Sequence, residues 1–308
     1  MKKTHSAIGT VRQLEILLSV YKHQNISKAA AALHLTQPSV SMQLAKLANT
    51  IGLPLYYIVG KQLRFTEAGE VIVRNAQEIL KRYEYLNLEI AQLKGLKAGS
   101  LNLSVVTTAK YFIPHLIGDF SRSHPGINIQ FKVGNRQNII ARTERDDDDF
   151  YVFSHPPQNP DLELIDFLPN RLHAIVPETH ELADHNNISL KAFSNEPFLM
   201  REEGSGTRLA IENFCKKNGL TITERMTIES NEAIKHAVMS GLGVSILSEH
   251  TLTYGGLAGL KILKVKGLPI LTQWYLVRRK SRPSSPAAEI FLAYAKAQGE
   301  ALFQDQLI

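Results

Sequence analysis

The sequence predicts two unlike parts on one chain: an all-α winged helix-turn-helix head with a long linker helix, then a two-lobed α/β region. Three observations predict this. Ile26 to Leu47 reads as two short helices around a tight break. Ile72, Ala76, Ile79, Tyr83, Leu86, Ile90 and Leu93 alternate by four and three, a heptad repeat held for three turns of the pattern. From residue 101 onward, β-prone runs alternate with helical ones.

The first helix of the pair is expected to start at Ser27, a residue suited to an N-cap, and to run through Ala29 to Ala32. The second opens with Thr36-Gln37-Pro38, a capping residue and a proline in the first turn, where the amides have no intrahelical partner. Val40, Leu44 and Leu47 share one apolar face, leaving Gln37, Ser39, Ser41, Gln43 and Lys46 elsewhere on the wheel. Glutamine can grip adenine through two bonds, serine adapts to several base edges, and lysine finds phosphate or guanine. A plain amphipathic hairpin would carry the same apolar spacing, so the charge has to decide.

The chain is +6, and residues 1–66 hold eight Lys and Arg against one acid, a net +7. The remaining residues carry 27 bases and 28 acids, a net −1. A polyanion partner explains positive charge confined to the segment that holds the helix pair, and the pair itself suits double-stranded DNA; general solubility does not explain it. Leu55 to Ile58 and Leu63 to Phe65, around a Gly60-Lys61 turn, read as a wing that aims Lys61 and Arg64 at the DNA backbone or minor groove.

Thr66-Glu-Ala-Gly-Glu70 is a helix start with acids in its first turn. The heptad stripe beyond it predicts a coiled-coil seam between two copies of the chain, placing two recognition helices on a two-fold symmetric site. The expected boundaries are 1–66 for the head, 67–95 for the linker helix and 96–100 for a hinge between glycines. The effector region is then 101–308, with lobe I at about 101–168 and 268–308 and lobe II at about 169–267.

In that region the expected strands are 101–106, 128–133, 149–153, 171–176, 197–201, 226–229, 244–247 and 272–277. The expected helices are 112–123, 137–145, 207–218, 231–240 and 286–302. Their alternation predicts a parallel sheet covered by helices.

Ligands in such sheets bind beyond the carboxyl ends of strands. Three such ends are rich in donors: Thr107-Thr108, Gly134-Asn-Arg136, and Arg201-Glu-Glu-Gly-Ser-Gly-Thr-Arg208. Gly204, Ser205, Gly206 and Thr207 bring backbone amides and hydroxyls to a helix start, where an anion is favoured. Each end alone reads equally well as ordinary capping. Together they point to a small anionic or polar effector of unknown identity.

Other chemistry finds little support. Asp146 to Asp149 alternate sides in a strand and are expected to form a solvated turn rather than a metal site. His180 and His185 lack ligand spacing, Gly241-Leu-Gly243 is a partial dinucleotide motif on the wrong side of a strand, and no Walker lysine follows Gly206. Cys215, the one cysteine, is expected to be buried filler. No cofactor, metal or catalytic constellation is expected. The N-terminal residues lack the apolar core of a secretion signal and no run reaches membrane-spanning length, so a cytoplasmic location with no membrane partner is expected.

Ser27-Lys-Ala-Ala, Leu35-Thr-Gln-Pro-Ser-Val-Ser41, Leu53-Pro-Leu55 and Thr66-Glu-Ala-Gly69 resemble the LysR-type transcriptional regulators of bacteria. Tyr111-Phe-Ile-Pro114, His124-Pro-Gly126, the Arg201–Arg208 run, Ser230 to Lys235 and Trp274-Tyr275 are similar to the branch that regulates RuBisCO and Calvin-cycle operons, called CbbR. The resemblance implies a winged helix-turn-helix, a linker-helix homodimer, and an effector domain like a periplasmic binding protein. It also implies dimers paired into tetramers, and a metabolite that alters DNA bending and recruitment of RNA polymerase. By the family pattern Gln37, Pro38, Ser39, Ser41 and Met42 face the major groove and Arg64 lies in the wing. Effector contacts fall at Thr107, Thr108, Arg136, Arg201 and Ser205 to Thr207. Met42 stands where many members place arginine, so base preference is expected to differ. A stand-alone small-molecule-binding protein or an α/β enzyme would explain two lobes, but neither the basic head nor the heptads.

Overall fold

The computed structural model describes residues 9–59, 62–93 and 99–304. It divides into two units, Met1–Ile90 and Ala91–Ile308.

The first unit runs α1 (Val11–His23), α2 (Ile26–Ala32), α3 (Gln37–Ile51), β1 (Tyr56–Val59), β2 (Gln62–Phe65) and the start of α4 (Glu67–Leu93). Thr10 and Gln13 cap α1 reciprocally. Helix α2 begins on Asn25, whose side chain accepts from the Lys28 amide at 2.9 Å. Ser27 lies inside that helix, which corrects its expected capping role: Asn25 is the residue in the extended conformation a cap requires, at φ −158°. His34 makes the break in the left-handed region, at φ 54°. Thr36 then caps α3, its hydroxyl accepting from the Ser39 amide at 3.4 Å. Val40, Leu44 and Leu47 are fully buried against Ile16, Leu17, Val20, Ala29 and Ala30. Each such burial stabilises by about 1.5–3 kcal/mol.

Strands β1 and β2 pair antiparallel with Tyr56 opposite Phe65. The Thr66 hydroxyl accepts from the Gly69 amide at 3.0 Å and donates to the Pro54 carbonyl at 2.6 Å. A side chain at Gly69 would put its Cβ 1.9 Å from the Leu55 carbonyl oxygen, so glycine alone lets α4 lie this close. The first turns of α4 belong to the head. Val73 and Ala76 are buried and Ile72 packs on the head's core. This corrects the seam at its N-terminal end, because a helix leaving a small domain first has to complete that domain's core. Ile79, Tyr83, Leu86 and Ile90 are 39–49% exposed. The side chain of Leu93 lies outside the described residues.

The second unit runs β3 (Gly99–Val106), a 3-10 turn at Thr107–Tyr111, α5 (Ile113–Ser123), β4 (Ile127–Gly134), α6 (Arg136–Arg145), β5 (Phe150–Phe153) and β6 (Leu162–Pro177). Then come α7 (Leu190–Ser194), β7 (Pro197–Met200), α8 (Gly206–Asn218), β8 (Thr223–Thr227), α9 (Asn231–Met239) and β9 (Ser245–Ser248). It closes with α10 (Glu249–Gly255), β10 (Leu260–Ile262), β11 (Ile270–Arg279) and α11 (Pro286–Gln304). Gly99 and Ser100, expected in the hinge, already pair with Ile127 and Asn128; residues 94–98 lie outside the described residues.

The main sheet runs β10-β6-β11-β5-β3-β4, with β9 also on β6. Strand β3 is parallel to β4 and β5, but β6, β9, β10 and β11 pair antiparallel. The sheet is therefore mixed, which corrects the parallel expectation. Strand β6 carries the chain out of the first lobe and β11 brings it back alongside, paired from Leu172–Ile270 to Leu162–Arg279. One core gathers around Leu103, Phe150, Trp274 and Phe291. The second lobe has cores on both faces, around Phe198, Ile246 and Val265 and around Leu199, Ile234 and Leu247.

The acidic run is not a solvated turn. Asp146, Asp148 and Asp149 are buried. Arg142 grips Asp148 through Nε and Nη2 at 2.6 and 2.8 Å, and the Ser104 hydroxyl donates to the same carboxylate at 2.7 Å. Arg282 reaches Asp149 at 3.0 Å. Paired, hydrogen-bonded carboxylates can be buried where lone ones cannot.

Candidate functional site

Two groups of side chains meet the expectations for chemistry, one in each unit. On α3 the apolar face is spent on the core and the opposite face is open. Gln37, Pro38 and Lys46 are exposed and Met42 is 63% exposed. Ser39 and Ser41 are half-buried beside them; Thr36 and Ser39 share a hydroxyl contact at 2.8 Å, and Gln37 donates to Ser41 at 3.4 Å. Gln43 points elsewhere: its amide oxygen accepts from Gln13 of α1 at 3.1 Å, so it ties two helices together. Ser27 is exposed on α2, one helix away from this face. Arg64 is exposed on β2, opposite Tyr57. Lys61 lies outside the described residues.

In the second unit, three strand ends converge between the lobes. Arg201, at the end of β7, is 1% exposed. Its Nη1 donates to the Asn231 side chain at the start of α9. Its Nη2 reaches Thr107 at 3.2 Å and the Glu229 carbonyl at 3.3 Å. Its Nε and Nη2 grip Glu202 at 2.7 and 2.8 Å. Asn231 turns its amide nitrogen to Thr108 at 3.1 Å. Thr107 and Thr108 follow β3 of the first lobe, so this network joins the lobes. A second link, from the Tyr111 hydroxyl to Glu232 at 2.7 Å, lies nearby; burial, then the Glu232 carboxylate, push the phenol pKa up.

Beside the network is a cavity of about 230 Å³ lined by Asn135, Arg136, Gln137, Glu202, Glu203, Gly204, Ser205 and Glu229. Arg136 donates Nε to the His155 carbonyl at 2.8 Å, and burial pulls its pKa down. Burial and then the Arg136 charge hold His155 below the ordinary histidine range. Ser205 stands at the cap position of α8, yet its hydroxyl makes no capping bond. Ordinary capping therefore does not account for it. A Cβ on Gly206 would fall 2.6 Å from the Ser154 hydroxyl oxygen, so a side chain there would force Ser154 of the first lobe to turn. Thr207 is buried in the first turn of α8. Arg208 does not line the cavity: it is held by Glu224 at 2.9 Å and Glu212 at 2.7 Å, and it donates to the Arg201 carbonyl at 3.0 Å.

Sequence reasoning missed Asn231, Glu202, Gln137 and Glu229 as parts of this site. Asn231 carried one signal, its place directly after a capping serine on a strand-to-helix turn. Among the described residues, no group of three His, Cys, Asp or Glu side chains could hold a metal ion, and no helix is long and apolar enough to cross a membrane.

Comparison with known proteins places both units. Residues 11–70 match the bacterial regulatory helix-turn-helix model of the lysR family, and residues 94–300 match the LysR substrate binding domain. The transcriptional activator CmpR of Synechocystis sp. is 42% identical over 96% of this chain and 97% of its own length. A RuBisCO operon transcriptional regulator of Acidithiobacillus ferrooxidans is 38% identical over 95% of this chain and 96% of its own. The regulatory domain of Synechocystis PCC6803 CcmR, solved in complex with 2-PG, is 41% identical, with a TM-score of 0.61 over 65% of this chain and 96% of that one.

Proposed function

The chain belongs to the LysR family of bacterial transcriptional regulators, and from that premise we propose that it controls genes of inorganic-carbon supply or fixation in response to an oxyanion metabolite held between its two lobes. It is a DNA-binding regulator and not an enzyme. The observation that carries the finer reading is an interlobe cavity lined by Arg136 and Ser205, beside the contact of Arg201 with Thr107. Support comes from relatives that act as CmpR and as a RuBisCO operon regulator, and from a similar domain that binds 2-PG.

In this reading α3 enters the major groove with Gln37, Pro38, Ser39, Ser41, Met42 and Lys46, while Arg64 and Lys61 follow the backbone. The exposed stripe Ile79, Tyr83, Leu86 and Ile90 pairs with a second copy. Dimers pair in turn into a tetramer that, with effector bound, activates transcription through RNA polymerase. A gel shift on the DNA upstream of the gene, with and without 2-PG, tests the whole: sequence-specific retention that falls steeply with salt is expected. No retention at low ionic strength rules out the DNA assignment, and identical patterns with and without 2-PG rule out that effector.

Leu86→Asp tests the pairing. Sedimentation should find monomers, and operator affinity should fall at least a hundredfold as one of two half-sites is lost. Intact dimers would remove the stripe from the interface.

A further inference from the structure

We propose that Glu202 is an internal competitor of the effector, a carboxylate that occupies the anion-binding edge of Arg201 until a small oxyanion displaces it. The proposal rests on the interlobe cleft being the effector site.

Arginine offers five N–H donors in a rigid fork. On Arg201, Nη1 is committed to Asn231, and one N–H of Nη2 is shared between Thr107 and the Glu229 carbonyl. Those partners are anchored in a helix start, a strand end and the main chain. The remaining edge, Nε with Nη2, is the pair of parallel donors that fits a carboxylate or a phosphate in two bonds. Glu202 holds that edge with both oxygens, at 2.7 and 2.8 Å.

Glu202 differs from the other partners in being able to leave. Its side chain is 18% exposed, against 1% for Arg201, and it lines the cavity. The turn that follows is open: Gly204 sits at φ +76° with nothing within 4 Å of where a Cβ would stand. Rotation of one side chain takes the carboxylate toward solvent and leaves two aligned donors in the place that it held at the cavity wall.

The arrangement has a physical reason. A bare guanidinium buried in an empty cleft is costly, and a carboxylate from the next residue removes that cost. An incoming oxyanion then exchanges one bidentate pair for another. Its net gain must come from further contacts, with Arg136, Ser205 or the amides of the Gly204–Gly206 turn. A lone anion gains little; a metabolite with a second polar group gains more. Glu202 thereby sets the concentration at which the cleft fills and rejects ligands that fit only one subsite.

Calorimetric titration of the full chain with 2-PG and, separately, with inorganic phosphate tests this. Glu202→Gln keeps the size and removes the charge; Glu178→Gln, an exposed acid of the same lobe that does not line the cavity, is the control. Glu202→Gln is expected to bind 2-PG at least tenfold tighter than wild type and to tighten phosphate in the same direction, with Glu178→Gln within twofold of wild type. Loss of a merely structural pair would weaken binding instead. Equal or weaker binding by Glu202→Gln, where wild type binds, overturns the competitor and leaves the cleft as the effector site. Equal tightening by Glu178→Gln also overturns it, since general relief of negative charge would then suffice. If no protein binds either probe, the reading of the cleft fails and the competitor falls with it. Should Glu202→Gln not fold, Glu202→Asp takes its place: one methylene shorter, it spans the two donors poorly, and tighter binding is again expected.

Discussion

The head and the cleft handle polar side chains in opposite ways. On α3, Gln37, Met42 and Lys46 stand in solvent on a helix whose other face is fully used by the core. Nothing in the fold depends on them, so their identities are free to follow the DNA. In the cleft, Arg201 is buried and every edge of its guanidinium is engaged. There the residues proposed to meet a ligand also hold the two lobes together. An exposed site can change its specificity cheaply; a buried one couples specificity to stability.

The largest expected effect tests that coupling. Arg201→Met leaves Glu202, Asn231 and Thr107 without their shared partner and should cost about 3–5 kcal/mol, the usual penalty for breaking a buried pair on one side. Trp274, the chain's one tryptophan and fully buried in the second unit, reports on that unit alone in urea unfolding. A loss below about 1 kcal/mol would mean that the cleft tolerates substitution as the head does.

Acid should separate the units next. Burial, and then the charge of Arg171, hold His250 neutral by pulling its pKa down to about 3. The unfolded chain takes up that proton near pH 6.5 and the folded chain only near 3. Stability of the second unit therefore falls as pH drops through this window, by about 1.4 kcal/mol per pH unit for this histidine. His155 and His173, also held low by burial, add to the slope. Glu249, raised by burial, opposes it above pH 4.5, where the folded chain keeps a proton that the unfolded chain has released. In His250→Gln the Trp274-monitored slope between pH 6 and pH 4.5 should flatten; an unchanged slope would assign the acid sensitivity elsewhere.

The smallest effects belong to the head. Gln37→Ala should cost about 1–3 kcal/mol on the operator and little on random DNA, with no change in folding. Arg64→Ala should weaken both alike and lower the salt slope by about one. A Gln37→Ala protein that lost stability as well as affinity would erase the contrast between the regions.

The head was almost fully legible because its signals are local. Thr36, Pro38 and the Val40-Leu44-Leu47 spacing define α3, and Thr66 with Gly69 defines the start of α4. The heptad stripe was legible too, but not its division of labour. Ile72 and Ala76 share the period of Leu86, and only the packing of Ile72 on the head's core and the burial of Ala76 set them apart from the exposed stripe. In the second unit the strand-helix order could be read while the direction of β6 and β11 could not, since a strand's residues are the same whichever way its neighbour runs. Leu162 to Leu168, the first half of β6, escaped notice because Pro169 interrupts the run. The acidic run misled for a related reason: the arginines that make its burial tolerable come from α6 and from residue 282.

Periodicity, caps and charge bias act over a few residues, so the order of residues alone settles the helix-turn-helix, the linker helix and the positive head. Which carboxylate meets which guanidinium can depend on segments more than a hundred residues apart, such as Asp149 and Arg282, being brought to the same few ångströms. Burial then turns each of those meetings into a requirement, because a desolvated polar group without a partner costs more than most single contacts return.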